Sequence, residues 1–474
     1  MPIDRTGIES IVERVLGELE GERAATPPPK AFDGRGILPD IDAATQAAQS
    51  AFRELAEISL EERRDFISAM RATILEHVDR LSELAVQETG LGRVEDKLRK
   101  NRLAARATPG VEDLRPHAFS GDHGLTLVER APYGVIGSIT PSTNPSETIV
   151  NNAIGMVAAG NAIVFNPHPS ARVVSLTTID LLNRAIAGAG GPRALLFAPV
   201  DPSVASAQTL MAHRDIRLLV VTGGPGVVRA AMQSGKRVVA AGPGNPPVVV
   251  DSTADIEKAG RDIVAGATLD NNIVCIAEKE IVAERDIVAL LKRSLAGAGA
   301  VEIKGQSLAR LMDVLIAEEH GPRQPATMNR AFIGKNLEII LDAAGLSCPH
   351  GARMAFFEAD EDHPLVWTEQ MLPVLPLVTA RDAKSAIEMA RRFERDCRHT
   401  AVMHSKNVEH MSIMARLMDC SIFVKNGPSY AGLGFGGEGF TTFTIASPTG
   451  EGLTSARTFT RERRCTLVDY FRIV

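Results

Sequence analysis

The stretch IRLLVVTGGPGVVRA, residues 216–230, decides how the chain is read. A mostly apolar run, IRLLVV, has the character of a strand buried on both faces. Two glycines then make a turn, and Pro225 stands at the first position of a helix, where its missing N–H is no loss. The free amides and the dipole of such a helix point toward any anion nearby. A plain strand-to-helix turn has the same residues, so this motif alone leaves a cofactor role open.

Working outward, the same alternation repeats. Strands are expected over 134–140, 162–166, 194–199 and 216–222, and helices over 146–159, 170–188, 203–213 and 225–234. Regular βα alternation implies a parallel sheet covered on both faces, an architecture that commonly carries nucleotides at its strand ends. Upstream, residues 42–105 read as helices ended by the prolines of ARATPGVEDLRP, and GLTLVERAPYGVIGSIT reads as strands broken at Pro132. A second α/β region runs from about 243 to 431. The tail, TSARTFTRERRCTLVDYFRIV, alternates apolar and polar residues at its end, as an edge strand does, and such an edge calls for a cover, for which a second subunit would serve.

The first twenty residues stand apart. Ile8, Ile11, Val12, Val15, Leu16 and Leu19 share one helical face, Thr6 and Glu9 form a capping-box pattern, and Gly21 can end the helix. GERAATPPPKAFDGRG then reads as a tether, with the linker taken as 21–40. An amphipathic helix on a tether is either a docking peptide or an extra surface helix.

A length of 474 residues suggests two or three domains. With 45% hydrophobic and 23% charged residues and a net charge of -6, electrostatic partnership with nucleic acid or a membrane surface is not expected. The longest apolar stretches, such as AIGMVAAGNAIVF at 153–165, are too short to span a bilayer, and no signal peptide is visible. The five cysteines, at 275, 348, 397, 420 and 465, lack CxxC spacing and fit reduced thiols in a cytoplasmic setting with no metal.

Four further stretches carry possible chemistry. In DNNIVCIAEKE, 270–280, Cys275 follows two asparagines in a polar frame; it is either inert packing or a nucleophile. TPSTNPSET, 140–148, ends a buried strand, and its Asn144 is either a turn residue or a donor to a developing oxyanion. EQMLPVLPL, 369–377, sets Glu369 before a Pro-punctuated apolar run, by default a surface carboxylate. GLGFGGEG, 432–439, matches GxGxxG, but TTFTIASP follows it and reads as strand, so it is rejected as a dinucleotide fingerprint.

Taken together, these segments resemble the aldehyde dehydrogenase superfamily. TPSTNP, GNAIVFNPHPSA, TGGPG, AGPGNPPVVVD, CIAEKE, TEQMLPVLP, SIFVKNGPSYAGLG, GGEGFTTFTIASPTGEG and TSARTFTRERRC narrow the likeness to its CoA-acylating members of bacterial microcompartments, the acetaldehyde and propionaldehyde enzymes. The resemblance implies an α/β fold of two doubly wound parallel-sheet domains, a cofactor domain over 41–242 and a catalytic cysteine domain over 243–431. It adds a β oligomerisation arm near 119–133 and a return to the cofactor domain in 432–474. It makes Cys275 the nucleophile that forms a thiohemiacetal and then a thioester, with Asn144 and the Cys275 amide holding the oxyanion. Thr140, Pro141 and Ser142 fall beside the cofactor, Thr222 and Gly223 beside its phosphates, Asn166, Pro167, His168 and Pro169 under its adenosine side, and Glu369 on the nicotinamide ribose. NAD and coenzyme A follow as cofactor and co-substrate, a homodimer or homotetramer as the assembly, and helix 8–19 as the contact with a microcompartment shell protein, placing the enzyme in that lumen.

Two departures sharpen this expectation. Hydrolytic members carry a water-activating glutamate where AAGPGNPP has Ala241, and NPHP lacks the usual lysine and glutamate that grip the adenosine ribose. Without that base the acyl group is expected to leave on CoA's thiol, a few per cent ionised at neutral pH, rather than on water. The competing readings are a hydrolytic aldehyde dehydrogenase making a carboxylate, and an assembly component with a vestigial site. Nearby amide dipoles, or a positively charged nicotinamide, are expected to lower the Cys275 pKa, and Lys279 is read as a structural ion pair.

Overall fold

The structure, a computed structural model, describes residues 34–474, so the helix expected over 8–19 and most of the linker lie outside the described residues. The linker ends sooner than expected. Ile37–Leu38 already pairs in parallel with Ala198 and Pro199 at the edge of the first sheet, because its backbone can extend the ladder there.

That six-stranded sheet has the spatial order Ile37–Leu38, Leu196–Pro199, Ala162–Pro167, Val135–Thr140, Leu218–Thr222, Arg237–Ala241, parallel throughout. Its central strands are mostly apolar because helices cover both faces, and Ile136, Val164, Leu219 and Val220 are fully buried. Helices Pro145–Ala158, Arg172–Gly188, Val204–Ala212 and Pro225–Gln233 connect the strands much as expected; one 3-10 turn, Pro169–Ala171, delays the second. From Val135–Thr140 the chain builds outward to one side, then returns to place Leu218–Thr222 on the other. The order of strands therefore reverses between these two neighbours, which opens a crevice at their carboxyl ends, beside Thr140 and Thr222.

A second sheet of seven parallel strands follows in the order Ala300–Glu302, Met354–Ala359, Val374–Ala380, Glu280–Glu284, Pro247–Val250, Thr400–His404, Ile422–Lys425. Val248, Val249, Ile281, Val282 and Leu377 are its buried centre. Cys275 lies just before Glu280–Glu284, on a short loop that follows helix Ile256–Ala267.

The third element is an antiparallel arm. His117–Gly121 pairs with Gly124–Pro132, which in turn pairs with the tail strand Thr460–Val468 from Pro132↔Thr460 to Gly124↔Val468. Every residue of the tail strand except Thr460 is exposed. Its root is fixed by Asn161: the buried amide accepts from the Tyr133 and Gly134 amides at 2.8 and 3.1 Å and donates to the carbonyls of Met156 and Phe459 at 3.2 and 2.9 Å. The strand expected over TTFTIASP shrinks to Ile445–Ala446, paired with Gly452–Leu453. The threonines before it instead fill a hydroxyl network, in which Thr444 Oγ1 donates to Asn152 Oδ1 at 2.9 Å and Thr442 Oγ1 to Asn151 Oδ1 at 3.1 Å. GLGFGGEG overlaps a 3-10 turn, Ser429–Leu433, and opens no helix, in keeping with its rejection as a fingerprint.

Candidate active site

The loop that carries Cys275 begins with three consecutive left-handed residues, Asp270, Asn271 and Asn272, at φ 50°, 54° and 69°. Left-handed backbone costs an L-residue roughly 1–2 kcal/mol, least for Asp and Asn. Here each side chain is anchored. Asp270 accepts from the Arg93 amide at 2.7 Å and from Lys97 and Lys100 at 2.9 and 2.5 Å. Asn271 donates to Gly334 O and Asn336 Oδ1 at 2.9 and 2.8 Å, and Asn272 to Ala267 O and Glu278 O at 2.8 and 2.9 Å. The turn thereby fixes where the half-buried Cys275 stands.

Gly244 meets it from the second sheet's first loop. A Cβ there would lie 2.6 Å from the Cys275 carbonyl oxygen and 3.0 Å from the His399 ring, while its amide donates to Glu369 Oε1 at 3.2 Å. Glycine is required because the two backbones nearly touch. Cys275, Gly244, Glu369 and His399 thus form one constellation, drawn from segments up to 155 residues apart in numbering only because the sheet gathers them.

Its electrostatics in the cofactor-free protein run the other way from the expected lowering. Burial, reinforced by the nearby Glu369 carboxylate, pushes the Cys275 thiol up to about 12, although Lys279 and Lys100 act the other way. The resting thiol is neutral. Lys279 is no structural ion pair: its buried ammonium donates to Asn272 O and Asn272 Oδ1 at 2.7 and 2.6 Å, and burial brings its pKa down to about 8. Glu369 is itself raised by burial. His399 is fully buried, with Nδ1 against Thr400 Oγ1 at 2.9 Å and Nε2 without a partner; burial lowers it to about 4, so its ring is neutral at pH 7.

Asn144 precedes helix Pro145–Ala158 and is buried. Lys100 Nζ donates to its Oδ1 at 2.5 Å. An ammonium only donates, so the Asn144 amide must turn its oxygen to Lys100 and its NH2 the other way, where Thr143 Oγ1 lies at 3.3 Å.

The cofactor residues inferred from the sequence gather at adjacent strand ends, with Thr140 opposite Pro167 and Ile139 opposite Val221. Thr140 Oγ1 is buried without a partner, and Pro141 and Ser142 are half-buried beyond it. Helix Pro225–Gln233 has no side-chain cap, and Gly224 and Gly226 face open space. An uncapped helix start and an unsatisfied hydroxyl at a strand-order reversal suit a dinucleotide or CoA pyrophosphate. Two of these residues also have partners within the protein. The Gly223 amide donates to Ala241 O at 3.1 Å, extending the ladder, which leaves the open amides to the helix start. Asn166 accepts from Ser206 Oγ at 2.5 Å and donates to Ser203 O at 3.2 Å, so its side chain holds the start of helix Val204–Ala212. Thr222 Oγ1 sits 3.0 Å from Thr444 Oγ1, and His168 Nδ1 accepts from the Ser170 amide at 3.2 Å, capping the turn that includes Pro169.

Lys97, Lys100 and His399 are absent from the sequence reading. On helix Val94–Ala107 the charges of VEDKLRKN look like a solvated face, yet Asp96, Lys97, Lys100 and Asn101 are all buried. Among the described residues no group of three or more His, Cys, Asp or Glu could hold a metal, and no helix is long and apolar enough to cross a membrane.

Comparison with known proteins agrees with this arrangement. The chain is 47% identical over 473 residues to the acetaldehyde dehydrogenase (acetylating) EutE of Escherichia coli K12, covering 100% of both chains. Among solved structures it is similar to a Rhodopseudomonas palustris propionaldehyde dehydrogenase with bound CoA and an acylated cysteine, at 48% identity and a TM-score of 0.89 over 92% of this chain and 98% of that one. A propionaldehyde dehydrogenase from the Clostridium phytofermentans fucose utilisation bacterial microcompartment gives 46% identity and a TM-score of 0.90, over 93% and 100%. The profile of the aldehyde dehydrogenase family spans residues 36–444, from the edge strand through the cysteine loop to the returning threonines, and the chain belongs to that family, on its CoA-acylating branch.

Proposed function

We propose that the chain oxidises a short-chain aldehyde, acetaldehyde or propionaldehyde, to the acyl-CoA thioester with NAD as oxidant. The observation that carries this reading is Cys275, held by its anchored turn in close approach to Gly244, in a chain that has a buried alanine, Ala241, where hydrolytic members are implied to hold their water-activating carboxylate. Residues Thr140 and Gly224 to Val227 would hold the dinucleotide, which supplies a hydride acceptor when bound.

The chain's own groups do the rest. Cys275 sulfur adds to the aldehyde carbon, and the thiol proton passes to the carbonyl oxygen, giving a thiohemiacetal. Asn144 Nδ2, held outward by Lys100, donates to that oxygen while it carries charge, and the Cys275 amide is the second donor. Loss of the carbon-bound hydrogen as hydride and of the hydroxyl proton leaves an acyl thioester on Cys275. CoA sulfur then attacks this carbonyl, the bond to Cys275 breaks, and the CoA thiol proton returns to Cys275. Thiolysis needs no strong base, because a thiol ionises far more readily than water.

We assign the arm to self-association. Phe119, Leu467, Val468, Tyr470 and Phe471 are exposed on or beside its edges, and a second copy would cover them. The amphipathic stretch 8–19 is assigned to docking on a shell protein and so to delivery into a microcompartment lumen. The test of activity is product analysis with and without CoA: acyl-CoA and NADH should form together and depend on CoA, and Cys275→Ala should form neither. Free acid as the main product at saturating CoA refutes the reading. Deleting residues 1–20 should abolish co-localisation with shell protein and leave activity in solution unchanged.

A further inference from the structure

Two buried lysines, Lys97 and Lys100, meet two buried carboxylates, Asp270 and Glu147, behind the candidate site, so the four charges balance. Lys97 already lies 2.9 Å from Asp270 Oδ2 and donates to the Thr143 carbonyl. Lys100 lies 2.5 Å from the same carboxylate oxygen, 3.2 Å from Glu147 Oε1 and 2.5 Å from Asn144 Oδ1. Beyond balancing charge, Lys100 makes the contact with Asn144.

That contact changes what Asn144 can do. An asparagine preceding a helix ordinarily turns its oxygen to the amides of the first turn. Asn144 makes no such bond, because Lys100 has drawn the oxygen away. With Oδ1 fixed, the NH2 has one weak partner, Thr143 Oγ1 at 3.3 Å, and one hydrogen left for a ligand. The same ammonium grips Asp270, where the turn to Cys275 begins. Lys100 therefore spans the two loops that must face each other across the reacting carbonyl.

We infer that Lys100 is a positioning residue: it locks the Asn144 amide as a donor and ties it to the cysteine loop. This rests on the reading of Asn144 as the oxyanion donor proposed above. Loss of one such donor slows turnover by about 10²–10³-fold, so loss of its orientation should slow it by about 10- to 100-fold.

The experiment is a double-mutant cycle on the full chain, with kcat and KM measured for acyl-CoA formation from propionaldehyde, and thermal melts in parallel. Lys100→Met should lower kcat by about 10- to 100-fold with little change in KM. Added to Asn144→Ala, it should change kcat by less than about twofold, because two residues acting as one unit are not additive. If Asn144→Ala keeps full kcat, the oxyanion reading itself fails. If Asn144→Ala is impaired while Lys100→Met keeps full kcat, or if the two losses multiply, the positioning role is overturned. Should Lys100→Met not fold, Lys100→Met/Glu147→Gln removes one cation and one anion together and is read in the same way against Glu147→Gln.

Discussion

Gly244→Ala is the smallest change that should disable the site. The added Cβ would sit 2.6 Å from the Cys275 carbonyl oxygen, where ordinary contact begins at 3.4 Å, so the two must part by 3.4 − 2.6, about 0.8 Å. His399 crowds the same position at 3.0 Å, and the Gly244 amide is bound to Glu369, so neither side yields freely. If Cys275 moves, its sulfur leaves its place in the site; if residue 244 moves, Glu369 loses its hydrogen bond. A displacement near 1 Å costs about 10²-fold in rate, equivalent to about 2.7 kcal/mol of transition-state stabilisation. Overpacking of this kind lowers stability by about 1–3 kcal/mol, which calls for a melt beside every rate. Steady-state NADH production should fall about 100-fold in protein that is still folded. Gly188→Ala is the control: nothing lies within 4 Å of its Cβ, so rate should hold and stability rise slightly. A Gly244→Ala enzyme within about threefold of the parent kcat would refute the claim that this close approach sets the position of Cys275.

Three further outcomes are expected. Alkylation of Cys275 by iodoacetamide in the free protein should climb about tenfold per pH unit from pH 7 to 10 with no plateau, since its thiol is held up to about 12; a plateau below pH 9 refutes this. Lys279→Met should slow that alkylation below about pH 8, where the lysine is charged and favours thiolate, with the difference fading as pH rises through 8; Glu369→Gln should speed it, and opposite signs would reverse the electrostatic assignment. Ala241→Glu should raise free-acid release in the absence of CoA at least about tenfold, by restoring a general base; no rise in acid measured by chromatography would show that position 241 does not control the acyl acceptor.

The alternation of strands and helices was legible because a strand buried on both faces must be mostly apolar, and 134–140, 162–166 and 216–222 are. Pro225 marked a helix start for a local reason, the dispensable N–H. The interior of the site was not legible. Lys97 and Lys100 belong to a segment whose charges suggest solvent, and their partner Asp270 is 170 residues or more away, so only the closed fold reveals that they are buried. Asn166 sits where expected, but whether its amide faces a ligand or Ser203 and Ser206 depends on a helix start that local sequence does not position. The upward shift of the thiol in the cofactor-free protein was not legible because burial and the charge of Glu369, not neighbours in sequence, set it.

The turn at 270–272 bears on how this enzyme can be re-engineered. Each of its three side chains is tied to a different part of the molecule while its backbone occupies a conformation most residues refuse, so random libraries that include these codons should return mostly dead clones. Diversity aimed at a new aldehyde belongs elsewhere along the crevice, with this corner left as the fixed datum from which the nucleophile is surveyed.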